Sequence, residues 1–264
     1  MKAGEFHNSP ESPRLIHALK ELAAIHKAVI SLGIRDLKVR YIHTYLGWGW
    51  LILPPVVLLL PALAFRFGFG VSVNAEEMMF WLTSLGGHIV SAGLMQQISP
   101  LWVNNKNFLL KIRLPILFMP VSRLVIVFPE WVMYSLVLIG FGLYSGFSMI
   151  EIVMHVLVFQ WFVLYGFSVG LLLCALSSRI RDVIHAVPIL VQVHLLLIVF
   201  YLLNGVDYRS FFVLKAFPPV LLIELLRSQV GDTDIFLALL YTLLLPVVAV
   251  LMYVKMSHNA IERI

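Results

Sequence analysis

Six long apolar stretches with almost no ionisable side chains constrain this chain more than any other feature of its sequence. They cover residues 49–65, 78–105, 114–143, 152–178, 183–206 and 235–254. A helix needs about 20 apolar residues to cross the hydrocarbon core of a bilayer, and each stretch supplies roughly that number. We therefore expect an all-α membrane protein with six transmembrane helices.

Composition and length support one membrane domain. Hydrophobic residues make up 61% of the chain and charged residues 12%, whereas a soluble domain carries about a quarter charged residues. The spans and their loops, residues 48–254, use most of the 264 residues and leave no room for a soluble catalytic domain. The sequence also lacks a Gly-Lys-Ser/Thr phosphate loop. Any ATP hydrolysis is therefore expected on another chain.

The distribution of positive charge predicts the orientation. If the N-terminal segment 1–47 is cytoplasmic, the segments on that side carry fifteen Lys and Arg residues, and the opposite side carries four. This asymmetry satisfies the positive-inside rule and places both termini, including the tail 255–264, in the cytoplasm. The net charge of +5 is then explained by membrane orientation rather than by nucleic-acid binding. The polar N-terminal segment also predicts that no signal peptide is cleaved and that the first span is retained.

The N-terminal segment has helical periodicity in two parts. Residues 14–30 place apolar side chains on one face, and residues 34–46 repeat the pattern. The apolar positions are Leu15, Leu19, Leu22, Ile25 and Val29 in the first part, and Ile34, Leu37, Tyr41 and Tyr45 in the second. The second part carries Arg35, Asp36, Lys38 and Arg40 on the opposite face. We expect an amphipathic helix on the membrane surface rather than an ordinary solvated charge run.

Residues 205–234, between the fifth and sixth spans, predict a re-entrant hairpin. The apolar pieces Phe211–Leu214 and Ala216–Ile223 are each too short to cross, and Lys215 separates them. The alternative is a loose external loop. The hairpin is favoured because Leu221, Leu222, Leu225 and Leu226 would otherwise form an exposed apolar patch.

Polar and aromatic residues within the spans are candidates for contact with a cargo, because a polar group in hydrocarbon needs a partner. Arg123 and Glu130 are seven residues apart, so they share a helix face. The candidates for lining a conduit are Trp81, His88, Gln96, Trp131, Tyr134, Gln160, Trp161 and Tyr165. For any single Gln or His a helix-to-helix hydrogen bond is the favoured alternative, and for any single aromatic residue it is plain packing.

Catalytic and metal sites are not predicted. The chain has nine histidines, but no two stand at the spacing of three to five residues that is typical of a helical metal site. Nor does any Ser, Cys or carboxylate grouping indicate covalent or acid–base chemistry.

Four segments resemble one family of membrane proteins. RDLKVRYIHTYLGWGWLILPP at residues 35–55 is similar to the basic helix and aromatic turn that open the permease subunits of type-2 ABC polysaccharide exporters. NNKNFLLKIRLPILFMPVSR at 104–123 resembles their cytoplasmic coupling loop. SSRIRDVIHAVPILVQV at 177–193 resembles the Arg-Asp turn before the fifth span, and FPPVLLIELLRSQV at 217–230 resembles the re-entrant segment.

This resemblance implies a homodimeric permease in the bacterial inner membrane that binds two copies of an ABC ATPase. The cargo would be a lipid-linked polysaccharide of the capsule, O-antigen or teichoic-acid type, and periplasmic export components are further partners. No cofactor is expected on this chain, since ATP and Mg²⁺ would bind the partner subunit. The resemblance assigns ATPase coupling to Asn107, Phe108, Leu109, Lys111 and Arg113.

Arg35, Lys38 and Arg40 could meet the pyrophosphate of the lipid carrier, although attraction to anionic lipid explains these charges equally well. Two other functions stay open. One is a type-2 exporter of a small amphiphile such as a drug, and the other is an intramembrane enzyme that acts on a lipid head group.

Overall fold

The chain is entirely helical in the part that the structure, a computed structural model, describes: residues 15–58, 60, 74–106, 115–204, 218–227 and 232–263. The helices are α1 (Leu15–Ala24), α2 (His26–Ile42), α3 (Ala75–Ile98), α4 (Leu101–Asn104), α5 (Phe118–Tyr144), α6 (Met149–Ser177), α7 (Asp182–Asn204), α8 (Pro218–Glu224) and α9 (Asp232–Arg263). Short 3₁₀ helices lie at Gly47–Leu51 and Leu225–Arg227.

Five helices are long and apolar enough to cross a membrane, which indicates a multi-pass membrane protein. They are α3, α5, α6, the Asp182–Val199 part of α7 and the Leu240–Ser257 part of α9. The predicted first span, 49–65, begins in a shorter apolar helix, Gly47–Leu58, and its second half lies largely outside the described residues. The sixth crossing therefore stays a prediction.

Local sequence signals explain where α3 and α6 begin. The Asn74 side chain accepts a hydrogen bond from the backbone N–H of Glu77, and the Glu77 side chain accepts one from the backbone N–H of Asn74. Ser148 and Glu151 form the same reciprocal arrangement at the start of α6. Each pair satisfies backbone N–H groups that have no partner within the helix.

The centre of the bundle is the contact between α3 and α6, where small residues let the two backbones come close. A Cβ added at Gly166 would lie 2.4 Å from the Cα of Ser91, so only glycine fits there. Phe162 on α6 packs in the same way against Gly87. Close packing through small residues is typical of helices in membranes, where water does not drive association.

The N-terminal helix α2 packs along α5 rather than standing apart from the bundle. Its buried residues are Val29, Gly33, Leu37 and Tyr41, which follow a spacing of four residues. Of the face predicted for residues 34–46, Leu37 and Tyr41 are buried, whereas Ile34 and Tyr45 are exposed. The buried stripe passes through Gly33 rather than Ile34, because Gly33 lies against Val125 of α5.

Part of the predicted re-entrant region is described. Helix α8 packs against α6, α7 and α9, and its residues Pro219 to Glu224 are buried. Leu221 and Leu222 are thus covered by protein, as the argument against an exposed patch requires. Residues 205–217 and 228–231 lie outside the described residues, so the hairpin itself stays a prediction. The predicted tail continues α9, which runs to Arg263.

Candidate functional site

A polar cleft of about 610 Å³ opens between α2, α3 and α5. Its walls contain both charged and amide side chains, an unusual combination in a protein with so few charges. The lining residues are Arg35, Asp36, Val39 and Arg40 of α2, Gly93, Gln96 and Gln97 of α3, and Arg123 and Ile126 of α5. Polar groups at such a place between apolar helices mark a candidate binding site.

The carboxylate of Asp36 joins two arginines of the cleft. One oxygen accepts hydrogen bonds from Nε and Nη2 of Arg35, at 3.0 and 2.8 Å. The other accepts a hydrogen bond from Nη1 of Arg123 on α5, at 3.3 Å. Asp36 therefore ties α2 to the third predicted span and offsets part of the positive charge of the cleft.

A second polar link lies one turn further along α2. Oε1 of Glu130 accepts a hydrogen bond from the Tyr41 hydroxyl at 2.8 Å and forms an ion pair with Nη1 of Arg40 at 3.3 Å. Burial raises the pKa of Tyr41, and the nearby Glu130 carboxylate raises it further. The hydroxyl therefore keeps its proton and acts as the donor. The ring of Tyr41 also stacks on Trp48, with centroids 5.5 Å apart.

These two links explain the charges that stand within the third predicted span. Arg123 and Glu130 are separated by two helical turns, so both project toward the same neighbour. That neighbour is α2. Its Asp36 pairs with Arg123, and its Arg40 and Tyr41 contact Glu130. Each charge thus has a partner of opposite sign, which lowers the cost of removing it from water.

The cleft carries an excess of positive charge. Among its lining residues three guanidinium groups face one carboxylate. The buried Nε of Arg123 has no hydrogen-bond acceptor among the described residues. Guanidinium groups bind phosphate and carboxylate oxygens through parallel N–H donors, and the amides of Gln96 and Gln97 add neutral donors. The arrangement suits an anion with several oxygens.

The sequence predicted only part of this group. Arg35 and Arg40 line the cleft, but Lys38 is exposed and is not among its lining residues. Gln96 lies in the cleft, although it was predicted as a conduit residue. The prediction missed Asp36 and Arg123 as site residues. A signal for Arg123 was present, since an arginine within an apolar stretch requires a partner.

Another conduit candidate, His88, belongs to a buried contact between α3 and α7. Nδ1 of His88 lies 2.6 Å from Nδ1 of His194, so one ring donates and the other accepts a hydrogen bond. The Tyr165 ring stacks on His194 with centroids 5.6 Å apart. This helix-to-helix hydrogen bond is the alternative that the sequence favoured for a single buried histidine.

The remaining conduit candidates lie in separate places within one chain. Trp161 and Tyr165 border a small pocket beside Tyr241 and Pro246 of α9. Tyr134 is buried, with 2% of its surface exposed, and its ring packs on Phe159. The others are partly buried: Trp81, Trp131 and Gln160. Their role in a conduit stays a prediction about an assembly of more than one chain.

Other predicted features lie outside the cleft. The coupling residues Asn107 to Arg113 are not among the described residues. Within the described part of the chain no three His, Cys, Asp or Glu residues form a group that could hold a metal ion.

No protein-family model matches this sequence, and no curated protein matches it significantly.

Proposed function

We propose that this chain is the permease subunit of an ATP-driven exporter that moves a lipid-linked polysaccharide across the bacterial inner membrane. The observation that carries the proposal is the arginine-lined cleft between α2, α3 and α5. It is lined by the basic helix α2 and by α3 and α5, two helices that are apolar enough to span a membrane. A cargo with an anionic head group and an apolar tail could place each part in a suitable environment.

The chemistry of the cleft supports a phosphate-containing head group. The lining arginines and glutamines offer many N–H donors at short range, which phosphate oxygens accept well. A lipid carrier holds its sugar through a pyrophosphate, whose charge is concentrated and whose oxygens are numerous. The isoprenoid tail of such a carrier would remain beside the apolar helix surfaces.

The anchoring of α2 supports a route for force. Asp36 and Glu130 connect α2 to α5, and α5 begins just after the proposed coupling segment Asn107 to Arg113. Closure of an ATPase dimer on ATP would move the coupling segment and α5, and α2 would follow because it is attached to α5. The head-group cleft would then change shape in step with ATP binding.

The translocation path requires a second copy of the chain. A finished polysaccharide is too long for an occluded pocket, so a conduit between two protomers is the plausible route. Trp161 and Tyr165, which border a small pocket beside α9, are candidates for meeting such a conduit. Aromatic rings can stack on sugar faces without holding a chain in one register.

A co-purification experiment tests this proposal. The chain would be co-expressed with an ABC ATPase encoded by a neighbouring gene and purified in detergent. Light scattering would then measure the molar mass of the complex. We expect a complex of two permeases and two ATPases, and charge reversal by K111E and R113E should weaken it. A matched control is K255E, at the opposite end of the chain. A permease that stays monomeric and binds no ATPase would contradict the proposal.

The two other functions make different predictions in the same assay. An exporter of a small amphiphile would also bind an ATPase, but its hydrolysis would respond to the amphiphile and not to a pyrophosphate-linked glycan. An intramembrane enzyme would modify a lipid head group without any ATPase present. Neither has support from a particular contact among the described residues.

A further inference from the structure

Asp36 stands where a bound anion would be expected. It is the sole carboxylate among the residues that line the cleft, and it contacts two of the three arginines there. Its two oxygens take N–H donors from Arg35 and Arg123, as two oxygens of a phosphate would. In this arrangement the protein supplies its own anion to its binding site.

We propose that Asp36 is an internal competitor that every anionic ligand must displace. It weakens the binding of all anions, so that the phosphodiester of ordinary membrane lipids leaves the cleft empty and a more strongly binding diphosphate still fills it. This inference rests on the proposed function, because it concerns the same cleft and the same class of cargo. It adds a reason why the abundant anionic lipids of a membrane would not fill the site.

The distances indicate that Asp36 can be displaced from Arg123. Charge-assisted hydrogen bonds of this kind are usually about 2.7–2.9 Å long, and the contact between Arg123 and Asp36 is 3.3 Å. The Arg35 side chain is 69% exposed, so it can turn toward a ligand while it remains near α2. Arg123 is less exposed, and its buried Nε has no acceptor among the described residues.

A comparison of charges explains the selectivity. A phosphodiester carries one negative charge, as Asp36 does, so it gains little when it replaces a carboxylate that is already attached to the protein. A diphosphate carries at least two charges on several oxygens and can engage Arg35 and Arg123 together, while Arg40 stays paired with Glu130. The difference in binding would therefore favour the diphosphate, and specificity is such a difference.

Glu130 provides a matched control. It is also a carboxylate that pairs with an arginine of α2, but it does not line the cleft. Its neutralisation would weaken the attachment of α2 without removing the competing anion. Tighter anion binding seen with Asp36→Asn and absent with Glu130→Gln would thus arise from the cleft itself.

The test measures lipid binding by the purified full chain in nanodiscs of phosphatidylcholine. The probes are farnesyl diphosphate, dioleoyl phosphatidylglycerol and inorganic pyrophosphate, and the readout is microscale thermophoresis. We expect the unmodified chain to bind farnesyl diphosphate about tenfold or more tightly than phosphatidylglycerol. Asp36→Asn should tighten the binding of both lipids about tenfold, because each must displace the same carboxylate. Glu130→Gln leaves that carboxylate in place, so it should tighten both lipids much less.

Two further variants or probes complete the test. Asp36→Glu retains a carboxylate, so it should keep both lipids close to their affinity for the unmodified chain even if the packing of α2 changes slightly. Farnesyl diphosphate should bind more tightly than inorganic pyrophosphate, since the lipid tail contributes apolar contacts. Equal binding of these two probes would overturn the assignment of a lipid as the ligand.

The results separate the two proposals. If the chain binds diphosphate but Asp36→Asn leaves its affinity for both lipids unchanged, the role of Asp36 is wrong and the proposed function stands. If the unmodified chain binds neither diphosphate probe, both the role of Asp36 and the head-group site of the proposed function are wrong.

Discussion

The hydroxyl of Tyr41 donates a 2.8 Å hydrogen bond to Glu130, across 89 residues of sequence. Tyr41 lies near the end of the N-terminal helix α2, and Glu130 lies within a helix that is long enough to span a membrane. The same carboxylate pairs with Arg40. This contact, together with that of Asp36 and Arg123, attaches α2 to α5.

A double-mutant cycle should measure the contact between Tyr41 and Glu130. Tyr41→Phe removes the donor and keeps the stacked ring, and Glu130→Gln removes the charge. We expect a coupling free energy of about 1–2 kcal/mol, because hydrogen bonds to charged groups are stronger than neutral ones. Unfolding would be followed in detergent by circular dichroism. Glu76→Gln, at an exposed site on α3, is the control, and additive effects of the two changes would argue against the contact.

Alkaline pH should loosen the same contact. The pKa of Tyr41 is raised above its ordinary value of 10.0 by burial and by Glu130, so the folded chain holds this proton more tightly than the unfolded chain. The stabilisation is therefore present below about pH 10 and is lost as the pH rises above it. In a series from about pH 9 to about pH 11, Tyr41→Phe should show a smaller loss of stability than the unmodified chain. Identical pH profiles would contradict this prediction.

Gly33 should be intolerant of a side chain. A Cβ at this position would lie 2.4 Å from the Cβ of Val125 and 3.0 Å from the Ser122 carbonyl oxygen, so α2 would have to move away from α5. We expect Gly33→Ala to destabilise the protein by about 1–3 kcal/mol, as overpacking typically does. Thermal unfolding and the protease resistance of α2 would measure this loss of stability. The control is Gly140→Ala, because no atom lies within 4 Å of a Cβ there. Equal stability of both variants would show that α2 does not pack as described.

Gly166 should be still more sensitive, because its neighbour is backbone. A Cβ there would meet the Cα of Ser91 at 2.4 Å and its carbonyl oxygen at 2.6 Å, and neither can rotate away. Gly166→Ala should separate α3 from α6 and lower the folded yield from membranes. A matched control is Gly93→Ala, whose added Cβ would come no closer than 3.8 Å to the Gln97 side chain. A normal yield and melting temperature for Gly166→Ala would refute this packing.

The sequence predicted five of the six spans well, because a long apolar stretch has few other stable arrangements, and the sixth stays a prediction. The stretch 183–206 corresponds to α7, and 152–178 corresponds to α6, each within a few residues. The sequence did not predict the partner of Arg123, since Asp36 lies 87 residues away and nothing in the local pattern connects the two residues. For the same reason the pairing of His88 with His194 became evident only from the packing of α3 against α7.

The cleft shows the same limit of sequence patterns. Helical spacing alone placed Arg35, Lys38 and Arg40 together as one charged face. The packing of α2 on α5 divides them, because Arg35 and Arg40 turn toward the cleft and Lys38 does not line it. Which charges of a surface helix face a site depends on the neighbour that covers the helix, and the periodicity of the helix does not specify that neighbour.

The most direct test of the proposed function is ATP-dependent transport by the chain reconstituted with the proposed ATPase. The chain and its ATPase would be placed in proteoliposomes, and the movement of a fluorescent glycan on a polyprenyl diphosphate would be followed by protection from an external glycosidase. We predict protection that requires ATP and that falls at least about tenfold with Arg123→Gln, which removes a guanidinium from the cleft. Protection that is independent of ATP, or unchanged by Arg123→Gln, would contradict the account.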